Sequence, residues 1–195
     1  MNEDMMLFDH HGQRLYLNSH ERRHLETIAD QSDDSAARTL CLMLIHTGCR
    51  ISEALALTKA SIDLNESAVT FKTLKRRKVH FRSVPLSPSF SKDLRGSFDL
   101  KKNTTGKLAL TPLWPYSRTT AWRRIKEFMD LAGLSGSMAS PKGLRHGFGV
   151  ACIEKNIPIT ILQKWLGHAS PTTTAIYLQV VGPEERNFAN RLWSC

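Results

Sequence analysis

Three short segments carry side chains suited to phosphate chemistry. Arg50 follows Thr47-Gly48-Cys49. Lys142, Arg145 and His146 sit within one turn of each other in Lys142-Gly143-Leu144-Arg145-His146. His168 closes Leu166-Gly167-His168, and Tyr177 follows nine residues later. Arginine binds phosphate through a planar fork of donors and stays charged at all working pH values. Two such side chains on one phosphate would offset the charge that develops when a phosphodiester is attacked. Tyrosine can be the attacking nucleophile, and histidine can donate a hydrogen bond to a phosphate oxygen. Lysine at position 142 is a fixed cation unless buried, so charge stabilisation suits it better than proton exchange. A phosphodiester transesterification is the chemistry these residue types could perform together.

Their positions depend on the elements that hold them. An apolar helix is expected from about Ala36 to His46, stopped by Gly48. Arg50 then opens the next helix, where a glycine turn can aim it at a phosphate. Glu53, three residues on, can hold an arginine or a backbone amide. Arg145 lies near the start of a helix expected over Leu144 to Asn156. Another is expected over Pro158 to Leu166, with Gly167 as its stop. Ile157, Ile161, Leu162 and Trp165 are read as core, and His146 is expected to pack or hydrogen-bond locally. Ser170 and Pro171 are good starting residues for a helix that carries Tyr177 to about Val180. The final helix is expected from Glu184 to Trp193.

Between these helices the apolar period changes to two. Ser61 to Leu64, Ala68 to Lys72 and Val79 to Pro85 read as antiparallel strands. Val69 and Phe71 form one buried face, and Val79 and Phe81, with Ser83, the matching face of the third strand. A short helix is expected from Ser89 to about Gly96. Ser117 caps another that runs through about Ala132. The expected fold is mainly α with a small antiparallel β-sheet, an α+β arrangement. Residues 1–18 read as a loose N-terminal arm or short strand, and 19–195 as one catalytic domain.

Charge indicates the partner. The 195 residues include 27 basic and 18 acidic side chains, a formal net charge of +9. Such an excess suits a polyanion. It is also clustered: Lys72, Lys75, Arg76, Arg77, Lys78 and Arg82 lie in one stretch without an acid, and Arg118, Arg123, Arg124 and Lys126 form a second group. Basic clusters on separate elements suit a groove that tracks nucleic-acid phosphates. No apolar run is long enough to cross a membrane, and the N-terminus lacks the pattern of a signal peptide. Four cysteines without a C-x-x-C spacing read as free thiols. These features suggest a cytoplasmic, nucleoid-associated protein.

In order and spacing, the segments at Arg50, Lys142–His146 and His168–Tyr177 resemble the tyrosine recombinase (phage integrase) family. Its boxes read T-G-x-R-x-x-E, H/K-x-x-R-H, and L-G-H with tyrosine nine residues on. The likeness covers about residues 19–193. It implies a site-specific DNA recombinase whose catalytic residues are Arg50, Lys142, Arg145, His168 and Tyr177, with Tyr177 forming a 3′-phosphotyrosine. It implies double-stranded DNA as partner, no metal or cofactor, and a homo-tetramer working through a Holliday junction. A β-hairpin lysine would protonate the leaving 5′ oxygen; Lys75 is the first candidate and Lys72 the second. Lys72, Arg76, Arg77, Lys78, Arg82, Arg118, Arg123 and Arg124 would contact DNA. Only some 18 residues precede the catalytic region, so no separate N-terminal core-binding domain is read. In that respect the chain is similar to the short fimbrial-inversion recombinases, or it is a fragment of a longer protein. The C-terminal helix, with Phe188, Leu192 and Trp193, would dock on a neighbouring subunit or pack on its own domain. A non-cleaving DNA-binding regulator is the alternative, and a monomeric type IB topoisomerase-like enzyme a third reading.

Overall fold

The computed structural model describes residues 6–75, 78–101, 106–179 and 183–193. Within them the chain is mainly helical with one small sheet. Helices α1 (Ser19–Asp30), α2 (Ser35–Thr47) and α3 (Ile51–Leu55) come first. Strands β1 (Ile62–Asp63), β2 (Ala68–Lys75) and β3 (Lys78–Pro85) follow. Then come α4 (Pro88–Phe98), α5 (Gly106–Ala109), α6 (Arg118–Leu131), α7 (Pro141–Glu154), α8 (Ile159–Leu166), α9 (Pro171–Ala175) and α10 (Pro183–Trp193).

Capping fixes the helix starts. Asn18 accepts the backbone N–H of Glu21, whose carboxylate takes the N–H of Asn18 in return, a reciprocal cap that starts α1 at Ser19. Ser117 and Ser140 cap α6 and α7 by accepting from Thr120 and Gly143. Gly48 and Gly167 end α2 and α8 in the left-handed conformation, at φ 61° and 68°. A Cβ on Gly48 would lie 2.5 Å from the Phe148 ring, so that turn admits glycine alone.

The main core gathers α1, α2, α4, α6 and the inner face of the sheet, with α2 buried on nearly every side. A second cluster joins Leu7 and Tyr16 to Phe148, Val150, Leu162, Leu166, Ile176 and Tyr177. Trp165 packs against both. The segment before α1 is thus not a loose arm from residue 6 onward. Phe8 pairs with Arg14 around a turn held by Asp9, and Leu7, Tyr16 and Leu17 are buried.

The sheet has the order β1-β2-β3, antiparallel throughout. Val69 and Phe71 face inward as expected, but β3 is inverted relative to expectation. Phe81 is 67% exposed, while Arg82 and Val84 point into the protein. The register explains this, because Phe71 faces Arg82 directly and Val69 faces Val84. Opposed residues of an antiparallel pair share a face, so an inward Phe71 forces Arg82 inward. Ile161, expected in the core, is also exposed on α8.

Candidate active site

Arg145 is the structural centre of the site. It is buried on the first turns of α7, and its guanidinium donates to two backbone carbonyls. One Nη meets Gly48 O at 2.7 Å and the other Leu166 O at 2.8 Å. Those carbonyls end α2 and α8, so one side chain ties the turn before Arg50 to the turn before His168. Burial, then the neighbouring Arg50 charge, hold the Arg145 guanidinium below its ordinary value, at about 10.

Arg50 occupies the cap position of α3, where its N–H donates to Glu53 at 2.8 Å. Its side chain is about half exposed (51%) and lies 3.5 Å from the Glu53 carboxylate. Glu53 also holds Arg82, through contacts of 2.7 and 3.1 Å. Burial acts to raise the Glu53 carboxyl, but the Arg82 hydrogen bonds and charge outweigh it and hold the group below its usual range. Arg82 further donates to Trp165 O at 2.7 Å and lies over the Phe71 ring. Its expected role as a DNA contact is therefore corrected: Arg82 is a buried strut of the site, because the sheet register turns it inward onto an acid that neutralises it. Gly167 leaves room for it, since a Cβ there would come within 3.1 Å of the guanidinium.

Tyr177 is fully buried. The helix expected through Val180 breaks instead: α9 stops at Ala175 and a 3₁₀ turn spans Ile176–Gln179. The β-branched run Thr172-Thr173-Thr174 and Ile176 are weak helix formers, and a tightened last turn is the result. The Tyr177 ring packs on α7, where Gly149 provides the space. A Cβ at Gly149 would lie 2.4 Å from the ring. The hydroxyl lies 3.2 Å from His146 Nδ1. His168 stacks parallel to the Tyr177 ring, with centroids 6.4 Å apart, and its Nδ1 meets Thr174 Oγ1 at 3.0 Å. Burial raises the Tyr177 hydroxyl to about 12, against the pull of Arg145 and Arg50. Burial, then Arg145 and Arg50, push His168 down to about 3, so this imidazole is neutral at working pH.

A cleft of about 920 Å³ opens beside these groups, lined by Arg50, Ser52, Lys72, His168, Ser170 and Thr173 among others. Among the described side chains of the hairpin, Lys72 lines this cleft. Lys75 ends β2 opposite Lys78; the side chains of both, and all of Arg76 and Arg77, lie outside the described residues. Lys142 is the second residue of α7 and half-buried. On α6, Arg118, Arg123 and Arg124 are exposed beside the half-exposed Trp122, and Arg124 pairs with Glu127. The sequence reading did not join His146 to Tyr177. The available signal was Gly149, one turn beyond His146 on the same helix face, which marks a close approach.

Comparison with known proteins agrees with this geometry. The model of the phage integrase family matches residues 14–182. The chain is 34% identical over 158 residues to the tyrosine recombinase XerD of Corynebacterium glutamicum, covering 78% of this chain and 51% of that protein. It is 30% identical over 162 residues to the tyrosine recombinase XerA of Pyrococcus furiosus, covering 79% and 54%. The chain therefore spans about half the length of the curated relatives it matches. Among solved structures, that of a XerA recombinase superposes with a TM-score of 0.75 at 26% identity, over 91% of this chain and 64% of that one. A XerH recombinase bound to its difH substrate shares the fold, with a TM-score of 0.67 at 19% identity, over 96% and 60%. A family match over most of the chain, joined to the three motif segments brought together around Tyr177, shows that this chain belongs to the phage integrase family.

Proposed function

We propose that this chain is the catalytic part of a site-specific DNA recombinase that cleaves and rejoins strands at Tyr177. One observation carries the reading. Arg145 binds the turn before Arg50 and the turn before His168 at once, which supports a reading in which Arg50, Arg145 and His168 act on one phosphate beside Tyr177.

The Tyr177 oxygen attacks the phosphorus and an O–P bond forms. The bond from phosphorus to the 5′ oxygen breaks, leaving a 3′-phosphotyrosine and a 5′ hydroxyl. Arg50 and Arg145 neutralise the charge on the non-bridging oxygens. His168 donates to one of them, and Lys142 adds positive charge. Lys75 on the hairpin protonates the leaving oxygen; Lys72, which lines the cleft, is the competing donor. The ester conserves the energy of the broken bond, so rejoining is the same step in reverse.

Double-stranded DNA is the proposed partner. Exposed Arg118, Arg123 and Arg124 on α6, with Lys72, Arg76, Arg77 and Lys78 of the hairpin, supply cations for its phosphates. Solved relatives with the same fold include a XerH recombinase bound to its difH substrate and a Tn1549 integrase in complex with DNA. The proposed assembly is a tetramer that passes strands through a Holliday junction. Leu192 and Trp193 near the end of α10 are exposed and suit docking on a neighbouring subunit, although α10 also lies against α7 of its own chain. Removing residues after 182 should impair assembly on DNA in sedimentation while sparing the fold.

The deciding experiment uses nicked duplexes of randomised sequence, from which covalent protein–DNA adducts are captured and sequenced. Wild type is expected to form an adduct that protease destroys, and Tyr177→Phe to form none. An adduct that survives in Tyr177→Phe overturns the assignment. DNA binding without any adduct favours a regulator on the same fold, and relaxation of supercoiled plasmid by the monomer favours a topoisomerase.

A further inference from the structure

Tyr177 must lose a proton as its oxygen attacks. We infer that His146 is the base that accepts the Tyr177 proton during strand cleavage and returns it during rejoining. The assignment rests on the reading of Tyr177 as the nucleophile.

The geometry is direct. His146 Nδ1 is 3.2 Å from the Tyr177 oxygen, within the reach a general base needs. Both side chains are buried, so the pair is held apart from bulk water. The notch at Gly149 fixes the ring against α7, and α7 carries His146 itself. One rigid helix therefore sets both the depth of the nucleophile and the position of its base.

The other histidine of the site is worse placed. His168 directs Nδ1 at Thr174 and stacks on the ring rather than meeting the hydroxyl. It is also a weak base there, pushed down by burial and by the charges of Arg145 and Arg50. The need is real, because burial raises the phenol to about 12. At neutral pH the free phenolate would be a very small fraction.

The charges around the pair give the transfer an order. Arg145 and Cys152 belong to α7, Arg50 precedes α3, His168 follows α8 and Arg82 reaches in from β3. In the absence of DNA the arginine charges here are balanced in part by Glu53, which pairs with Arg82. A bound phosphodiester brings negative charge, and more develops as the oxygen attacks. Imidazolium is then stabilised at the moment it forms. The balance is simple: the phenol O–H breaks, N–H forms at Nδ1, O–P forms, and the 5′ oxygen leaves with the proton of the hairpin lysine.

Two measurements test this. Nitrogen-15 histidine NMR of the intact chain, assigned with His146→Gln, reads the tautomer without any DNA. The expected state has Nδ1 unprotonated and the proton on Nε2. A proton on Nδ1 in the free protein overturns the inference. Single-turnover adduct formation on the randomised nicked duplexes reads the chemistry. Glutamine keeps a hydrogen bond to the phenol but cannot accept its proton, so His146→Gln should slow the adduct by about 10²–10⁴-fold. Its rate should also climb about tenfold per pH unit where the wild-type profile is flat, as hydroxide takes over the task. A melting curve matching wild type shows that the fold is kept. An unchanged rate, or a slower rate with the wild-type pH profile, reduces His146 to packing and overturns the inference. If wild type itself gives no adduct, the proposed function falls, and the tautomer still decides whether His146 can accept a proton.

Discussion

Glu53 and Arg82 form a buried ion pair, with 2.7 Å between carboxylate and guanidinium, and Glu53 lines the floor of the cleft beside Arg50. Removing one partner strands the other charge away from water. Arg82→Met should therefore destabilise the fold by about 3–5 kcal/mol, read from denaturant midpoints. DNA binding by the folded fraction should keep its salt slope. Arg123→Ala should do the reverse, leaving the midpoint in place and lowering the slope by about one.

Gly149 faces the Tyr177 ring with no room for a methyl group. Gly149→Ala should cost about 1–3 kcal/mol through overpacking. Covalent adduct formation should fall far more than stability does, because the ring must move away from His146. Adduct formation at the wild-type rate would show that the depth of the ring is unimportant.

His168 gives the acid limb of stability a particular shape. Its pKa is about 3 in the folded chain against an ordinary 6.5. Between those values the unfolded chain takes up a proton that the native chain refuses. The His168 contribution is complete above about 6.5 and is lost as pH falls towards 3. His168→Gln should remove that part of the slope in a pH series of thermal midpoints. Tyr177 acts at the other end. Its raised value means stability is lost as pH climbs from about 10 towards 12, and Tyr177→Phe should flatten that limb.

A 5′-bridging phosphorothiolate separates the hairpin lysines, because its leaving group needs no proton. Lys75→Ala should cleave ordinary DNA slowly and recover on the thiolate substrate. Lys72→Ala should lose affinity without such recovery. The opposite pattern would move the proton donor to the lysine that lines the cleft.

Much of this was legible in the sequence, for physical reasons. Ser117 and Ser170 cap where expected because a short hydroxyl at the start of a helix satisfies its N–H groups locally. The three motif segments were readable because each places its side chain through a local turn, as Gly48 and Gly167 do. The orientation of Arg82 was not, since it depends on which strand opposes Phe71 and on Glu53 twenty-nine positions away. His146 and Tyr177 meet across thirty-one positions, and only folding brings them together. The break of the Tyr177 helix follows from its β-branched run, which the cap and proline at its start had concealed.

Arg145 has five N–H donors, and two of its contacts go to the protein's own backbone at Gly48 and Leu166. An inactive Arg145 variant would thus be silent for two reasons at once, missing a phosphate ligand and a rivet between two turns. Arg50, half exposed and held only at 3.5 Å by Glu53, is the arginine whose removal speaks to chemistry alone. Trapping a complex with uncut DNA is accordingly better done at Tyr177 or Arg50, where the frame survives the substitution.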